Sequence, residues 1–193
     1  MFKRKQKLSL RRQVRELIWP SMGFRRAFRY VRIRIVRMSD SSHKITLGLA
    51  IGIWIAFSPL VGTHFIQAGI LAYFLRGNIL AALIGTLVGT PWTFPLMWWA
   101  SIELGVFLTS WLGIADRSTL PDDFSLSVLW DFAMSHPLRL FVPWMIGGYV
   151  LGLVAAFLSY APLYRIIHTA RTARARAKMQ RVAQLAREIA DTP

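Results

Sequence analysis

Residues 138 to 160 read LRLFVPWMIGGYVLGLVAAFLSY and carry one charged side chain, Arg139. Coiled as a helix at about 1.5 Å per residue, this stretch is roughly 35 Å long, enough to cross the ~30 Å of hydrocarbon in a bilayer. A second run, ITLGLAIGIWIAF at 45 to 57, has no charge at all. Segments of this kind point to lipid as solvent, where only helices and closed barrels satisfy every backbone group. We therefore expect an all-α integral membrane protein.

The charge distribution supports this. The chain is 54% hydrophobic yet has a formal net charge of +15, a pairing uncommon in soluble domains. Residues 1 to 44 hold 14 Lys or Arg against two acids, and residues 165 to 193 hold seven against two. Basic ends alone would suggest nucleic acid. They do not account for the greasy centre, so no nucleic-acid partner is expected and anionic lipid headgroups are. With no cysteine, thiol chemistry is excluded. The first 44 residues lack an apolar core followed by a small-residue cleavage site, so insertion through the apolar segments themselves is expected.

Two helical pieces are expected over 8 to 38, divided at WPSMG by Pro20 and Gly23. In the second, Phe24, Phe28, Val31, Ile35 and Met38 recur at spacings of four and three, while Arg25, Arg26, Arg29, Arg32 and Arg37 cover much of the remainder. Such a helix lies flat on an anionic membrane with its guanidinium groups among headgroups. The alternation in YVRIRIVR also fits a strand; the helix is preferred. SDSSHK, 39 to 44, then offers cap residues for the first membrane helix.

Three apolar regions follow, at 45 to 75, 79 to 113 and 138 to 160, and the first two are interrupted. The first breaks at SPLVGTH into pieces too short to span hydrocarbon. The second breaks at GTPWTFP, 89 to 95, leaving a short leading piece and a longer one. Basic flanks favour the cytoplasm, so both ends should lie there, and the loop 114 to 137, with four Asp against Arg117, should lie outside. The arrangement that satisfies these constraints has a re-entrant helical hairpin at 45–75, one broken transmembrane helix at 79–113 and one further transmembrane helix at 138–160. Basic amphipathic segments, 1–44 and 164–193, flank this membrane domain of 45–163.

Pro59 and Gly62 would form the tip of the hairpin, where backbone groups come free and must be buried in protein or face water. Two interrupted segments in succession point toward transporter-like architecture, in which half-helix ends present dipoles to a solute. The candidate polar site at membrane depth comprises Ser58, Pro59, Gly62, Thr63, His64, Gln67, Asn78, Thr90, Pro91, Thr93, Pro95 and Glu103. His64 is either functional or, the preferred reading, bound to a hairpin carbonyl or capping the next helix. Glu103 could relay protons or cations with His64, pair with Arg76 or Arg139, or lie at the outer interface. Asn78 is expected to cap a helix. Gly48, Gly52 and Gly85, Gly89 form small-xxx-small pairs suited to close helix packing. Of Trp92, Trp98, Trp99, Trp111, Trp130 and Trp144, most are assigned to interfacial belts rather than to ligand stacking.

Residues 47 to 105 resemble the prokaryotic membrane family of unknown function numbered two-zero-six-two. Its Pro-x-x-Gly-x-His or Gln pattern matches Pro59, Gly62 and His64, an Asn opening the next helix matches Asn78, and its second break matches Pro91 and Thr93, with Pro95 near the final proline. Thr90 stands where that break usually has Asn, which removes a carboxamide from the tip. The resemblance implies a bacterial inner-membrane protein and no established activity.

The Ala- and Arg-rich tail from 165 is expected to continue the last span as a helix, with Met179, Val182, Leu185, Ala186 and Ile189 as a narrow apolar stripe. No phosphate loop, nucleophile triad, metal-ligand cluster or paired catalytic carboxylates occurs, so neither an enzyme nor a cofactor is expected. The leading functional expectation is a transport or permeation unit. It would be a homo-oligomer, because about four membrane elements enclose little volume. The alternative is a non-transporting scaffold or lipid-interacting protein. Polar residues facing the two tips would favour the first, and a dry, packed junction the second.

Overall fold

The computed structural model describes residues 24–90, 92–113, 135 and 137–190, and all regular structure among them is helical. The expected helical piece at 8–18, the WPSMG break at 19–23, Pro91, Trp130 and most of the 114–137 loop lie outside the described residues. The chain divides into two units, 1–38 and 39–193.

In the first unit, α1 spans Phe24–Arg37, so the alternation in YVRIRIVR resolves as helix. Arg29, Arg32 and Arg37 are exposed while Val31, Ile35 and Met38 are half-buried, as a 3.6-residue period dictates. Arg25 and Arg26 lie in its first turn. Arg34 donates to the Tyr30 hydroxyl one turn back at 3.1 Å.

In the second unit, α2 (Ser42–Ala56) starts where Ser41 accepts the Lys44 amide at 3.3 Å. It stops before Pro59, which lacks a donor and disfavours helical geometry at Ser58. After a turn through Gly62, whose φ of 91° suits glycine, α3 (His64–Phe74) runs back. It ends with the Gly77 amide on Ala72 O at 2.8 Å and the Arg76 amide on Tyr73 O at 3.2 Å, a Schellman motif whose left-handed residue is Arg76, at φ 57°. The Asn78 amide then reaches Lys44 O at 2.9 Å, so the α2–α3 hairpin closes at the level where it began.

Asn78 caps α4 (Ile79–Gly85), its Oδ1 accepting the Ala81 amide at 2.7 Å. This short helix runs parallel to α2 and in backbone contact with it. A Cβ on Gly52 would sit 2.6 Å from Gly85 Cα, and one on Gly85 would sit 2.9 Å from Gly52 Cα. Gly48 meets Asn78 and Ala81 in the same way. A 3-10 turn at Thr86–Val88 and an irregular stretch lead to α5 (Phe94–Trp111), with Pro95 in its first turn, where its missing N–H is harmless. Gly89 takes no part in helix packing; a Cβ there would meet the Phe94 ring at 2.8 Å.

Helix α6 (Pro137–Ala190) is 54 residues long, about 80 Å, and runs through Pro143 and Pro162. Its segment from Leu138 is the one described helix long and apolar enough to cross a membrane, judged by length and composition. It packs antiparallel to α5, with Gly147 against Ser101 and Gly105, and Gly105 against Pro143. It is antiparallel to α2 as well: Gly148 faces Phe57 O, Gly152 faces Trp54 O, and Tyr160 reaches His43. The tip of the hairpin therefore lies level with Gly148, about 18 Å along α6 from Tyr160 and about 15 Å from Leu138.

The interior is rich in small residues. Ala68, Ala72 and Ala82 cluster with Ile51 and Ile55, and Ala50, Ala56, Ala81, Thr46, Thr109, Ser58 and Ser101 are also buried. Large apolar side chains face outward, among them Phe74, Trp111 and Phe157 at 73%, 77% and 81% exposure.

Candidate functional site

The two breaks adjoin. The ring centroids of His64, at the start of α3, and Phe94, at the start of α5, are 6.2 Å apart. Phe94 stacks on Trp98 at 5.2 Å, and Trp98 meets Trp144 of α6 edge-on at 5.2 Å. A series of ring contacts thus links the first break to α6.

Within the first break the polar groups engage one another. Ser58 is fully buried; its hydroxyl accepts the Leu60 amide at 3.2 Å, and its carbonyl lies 3.0 Å from His64 Nε2. A carbonyl only accepts, so Nε2 carries the hydrogen. Thr63 donates to Leu60 O at 2.8 Å and accepts from Gln67 at 2.6 Å, and Gln67 Oε1 accepts from the Tyr149 hydroxyl at 2.7 Å. Trp54 donates to Tyr149 O at 2.9 Å, tying the end of α2 to α6. Pro59 is buried, whereas Gly62 and Thr63 are exposed.

The second break is likewise held by its own residues. The Thr93 hydroxyl takes the Thr90 amide at 2.8 Å and lies 2.9 Å from Val88 O. Thr90 Oγ1 accepts the Thr93 amide at 3.3 Å. Thr90 thus makes with its hydroxyl a tip contact of the kind a carboxamide would supply. Pro95 is exposed. The indole N–H groups of Trp98 and Trp144 are enclosed without a hydrogen-bond partner among the described residues.

Two of the sequence-derived residues lie apart from this junction. Glu103 is half-buried in the middle of α5, one turn from Trp99 and from Phe107, both exposed. No hydrogen bond or ion pair joins it to His64, Arg76 or Arg139. Asn78 lies at the opposite end of the hairpin, where it caps α4 and donates to the Asp40 carboxylate, while Arg171 of α6 donates to Asp40 O. Nearby, His43 Nδ1 is 2.5 Å from the Tyr160 hydroxyl, and the rings of Tyr160, Tyr164 and His168 stack in succession along α6. Among the described residues no group of three His, Cys, Asp or Glu could hold a metal ion.

Sequence reasoning missed Tyr149, Phe94 and Asp40, whose partners lie far along the chain. Two of the six Trp residues weighed for interfacial belts, Trp98 and Trp144, meet between α5 and α6. The signal that could have found the α6 contacts was the glycine spacing in GGYVLG, Gly147, Gly148 and Gly152.

The architecture is that of a glycine-packed helical protein with one described helix apolar enough to cross a membrane. A family model described as "Uncharacterized protein conserved in bacteria (DUF2062)" matches residues 25–176, and the chain belongs to that family. No curated protein and no solved structure matches it.

Proposed function

We propose that the chain is a multi-pass protein of the bacterial cytoplasmic membrane, acting as a non-enzymatic scaffold rather than as a conduit. Its large exposed apolar side chains and its small-residue interior support the membrane setting. Soluble monomers seldom expose such continuous apolar surface, and in lipid small residues let helices approach closely. In this reading α2 and α3 form a re-entrant hairpin reaching mid-depth, α4 and α5 together cross as a broken span, and α6 crosses back. Both basic ends then lie in the cytoplasm.

The observation that carries the scaffold reading is the use made of the break residues. Ser58, Thr63, Gln67, Thr90 and Thr93 are engaged with backbone and with each other, and aromatic rings occupy the junction. A solute site needs groups left over to bind something. In a chain without native cysteine, Ser58→Cys and Thr90→Cys variants test this with a small water-soluble thiol reagent. The scaffold reading expects both to stay unreactive in intact membranes and to react after denaturation. Rapid labelling in the folded state would mean a wet cavity and would return the transport reading to the lead. That second reading has two observations in its favour: the half-buried carboxyl of Glu103 and the enclosed indole N–H groups of Trp98 and Trp144 have no partner among the described residues.

A further inference from the structure

The turn between α3 and α4 holds an arginine where backbone geometry favours glycine. Arg76 has φ 57° and is the one described non-glycine residue with positive φ. Left-handed geometry strains any residue with a Cβ, and such strain is retained where the side chain has a use. Gly77, next along, packs closely on α2: a Cβ there would lie 3.2 Å from Gly48 N and 3.4 Å from Ile51 Cδ1.

Arg76 is exposed and no described residue pairs with it. It directly follows Tyr73, Phe74 and Leu75, all exposed, so the chain passes from an apolar and aromatic face to a guanidinium within one turn. Lys44, also exposed, belongs to the same end of the hairpin: its carbonyl accepts the Asn78 amide two residues after Arg76. The acid at this end, Asp40, has its carboxylate engaged by Asn78 and its carbonyl by Arg171. Two exposed cations therefore lie at the same end of the hairpin, next to the exposed apolar residues of α3 and an acid already engaged.

We infer that Arg76 and Lys44 form a phosphate-binding site for an anionic lipid headgroup at the foot of the hairpin. The guanidinium fork suits phosphate oxygens, Lys44 adds a point charge, and the exposed α3 face lies where acyl chains would run. This rests on the membrane reading and deepens it.

The test compares the full-length chain with Arg76→Gly and Arg76→Lys in nanodiscs of phosphatidylcholine, with and without added phosphatidylglycerol, following thermal unfolding. In phosphatidylcholine alone, Arg76→Gly should melt a few degrees higher than the native chain, because glycine relieves the left-handed position. Phosphatidylglycerol should raise the native midpoint, raise that of Arg76→Lys less, and leave Arg76→Gly nearly unmoved. An equal phosphatidylglycerol response in the native chain and Arg76→Gly would overturn the inference, as would a lower midpoint for Arg76→Gly in phosphatidylcholine. Inorganic phosphate at millimolar concentration is the control for source: if it reproduces the difference between native chain and Arg76→Gly, the site takes free anions and the lipid assignment fails. Alkaline extraction of cell membranes separates the two levels. A chain released into the supernatant contradicts the membrane reading itself, whereas a retained chain with no Arg76 effect contradicts this inference alone.

Discussion

Helices α2 and α4 meet backbone to backbone at Gly52, and adding one methyl there should separate them. A Cβ on Gly52 would come 2.1 Å from Ala82 O, 2.6 Å from Gly85 Cα and 2.8 Å from the Gly85 carbonyl carbon, where carbon atoms prefer about 3.5–4.0 Å from one another. The obstacle is backbone on a helix held at both ends, so relief requires the two helices to part by about 1 Å. A gap of that size forfeits up to about half of each dispersion contact along the seam. Overpacking of this kind costs about 1–3 kcal/mol, and a backbone obstacle belongs at the upper end. For a chain of this size each kcal/mol shifts the midpoint by about 2–4 °C, so Gly52→Ala should melt roughly 4–12 °C below the native chain in detergent. Gly69→Ala is the matched control. Its nearest contact is Ile79 Cγ2 at 3.9 Å, and alanine's better helix propensity should stabilise the chain by about 0.5–1 kcal/mol. If Gly52→Ala melts with the native chain, or Gly69→Ala falls as far as Gly52→Ala, close backbone packing is not what the glycine provides.

Further outcomes follow from single contacts. Asn78→Ala removes the α4 cap and the bond to Asp40, and should lower stability by about 1–2 kcal/mol in the same melts. Asn78→Asp keeps a capping oxygen but sets a carboxylate against Asp40, so it should restore little of that loss. His64→Leu leaves the buried Ser58 carbonyl without its partner, at about 1–3 kcal/mol, and His64→Gln should recover part of it. Glu103→Leu should raise the midpoint, since it removes a carboxyl that no described residue pairs from an apolar face; a lower midpoint would reveal a partner outside the described residues.

Local chemistry made several elements readable from the sequence. Pro59 and the Thr90 to Pro95 stretch end helices by rules that act within a few residues, and the described breaks fall there. Asn78 caps because its side chain reaches an amide three residues on, and the Phe24–Arg37 helix follows from its apolar period. Long-range partners were not readable. That Asp40 would meet Asn78 and Arg171, or that Tyr149 would reach Gln67, depends on how helices far apart in sequence dock. The Gly48 and Gly52 spacing identified a packing face, yet the same logic applied to Gly89 fails, because the helix has ended and the residue meets a ring instead. Trp98 and Trp144 show a similar limit: composition favours an interface, while the register of α5 on α6 turns them inward.

The central claim is that the chain enters the membrane, turns at mid-depth and returns to the side it came from. Single cysteines at Arg76, Ser127 and Ala175, probed with a membrane-impermeant thiol reagent from each side, test it most directly. The account predicts labelling at 76 and 175 from the cytoplasmic side only and at 127 from the outer side only. Labelling of position 76 from outside would contradict the hairpin, and with it the topology drawn from both basic ends.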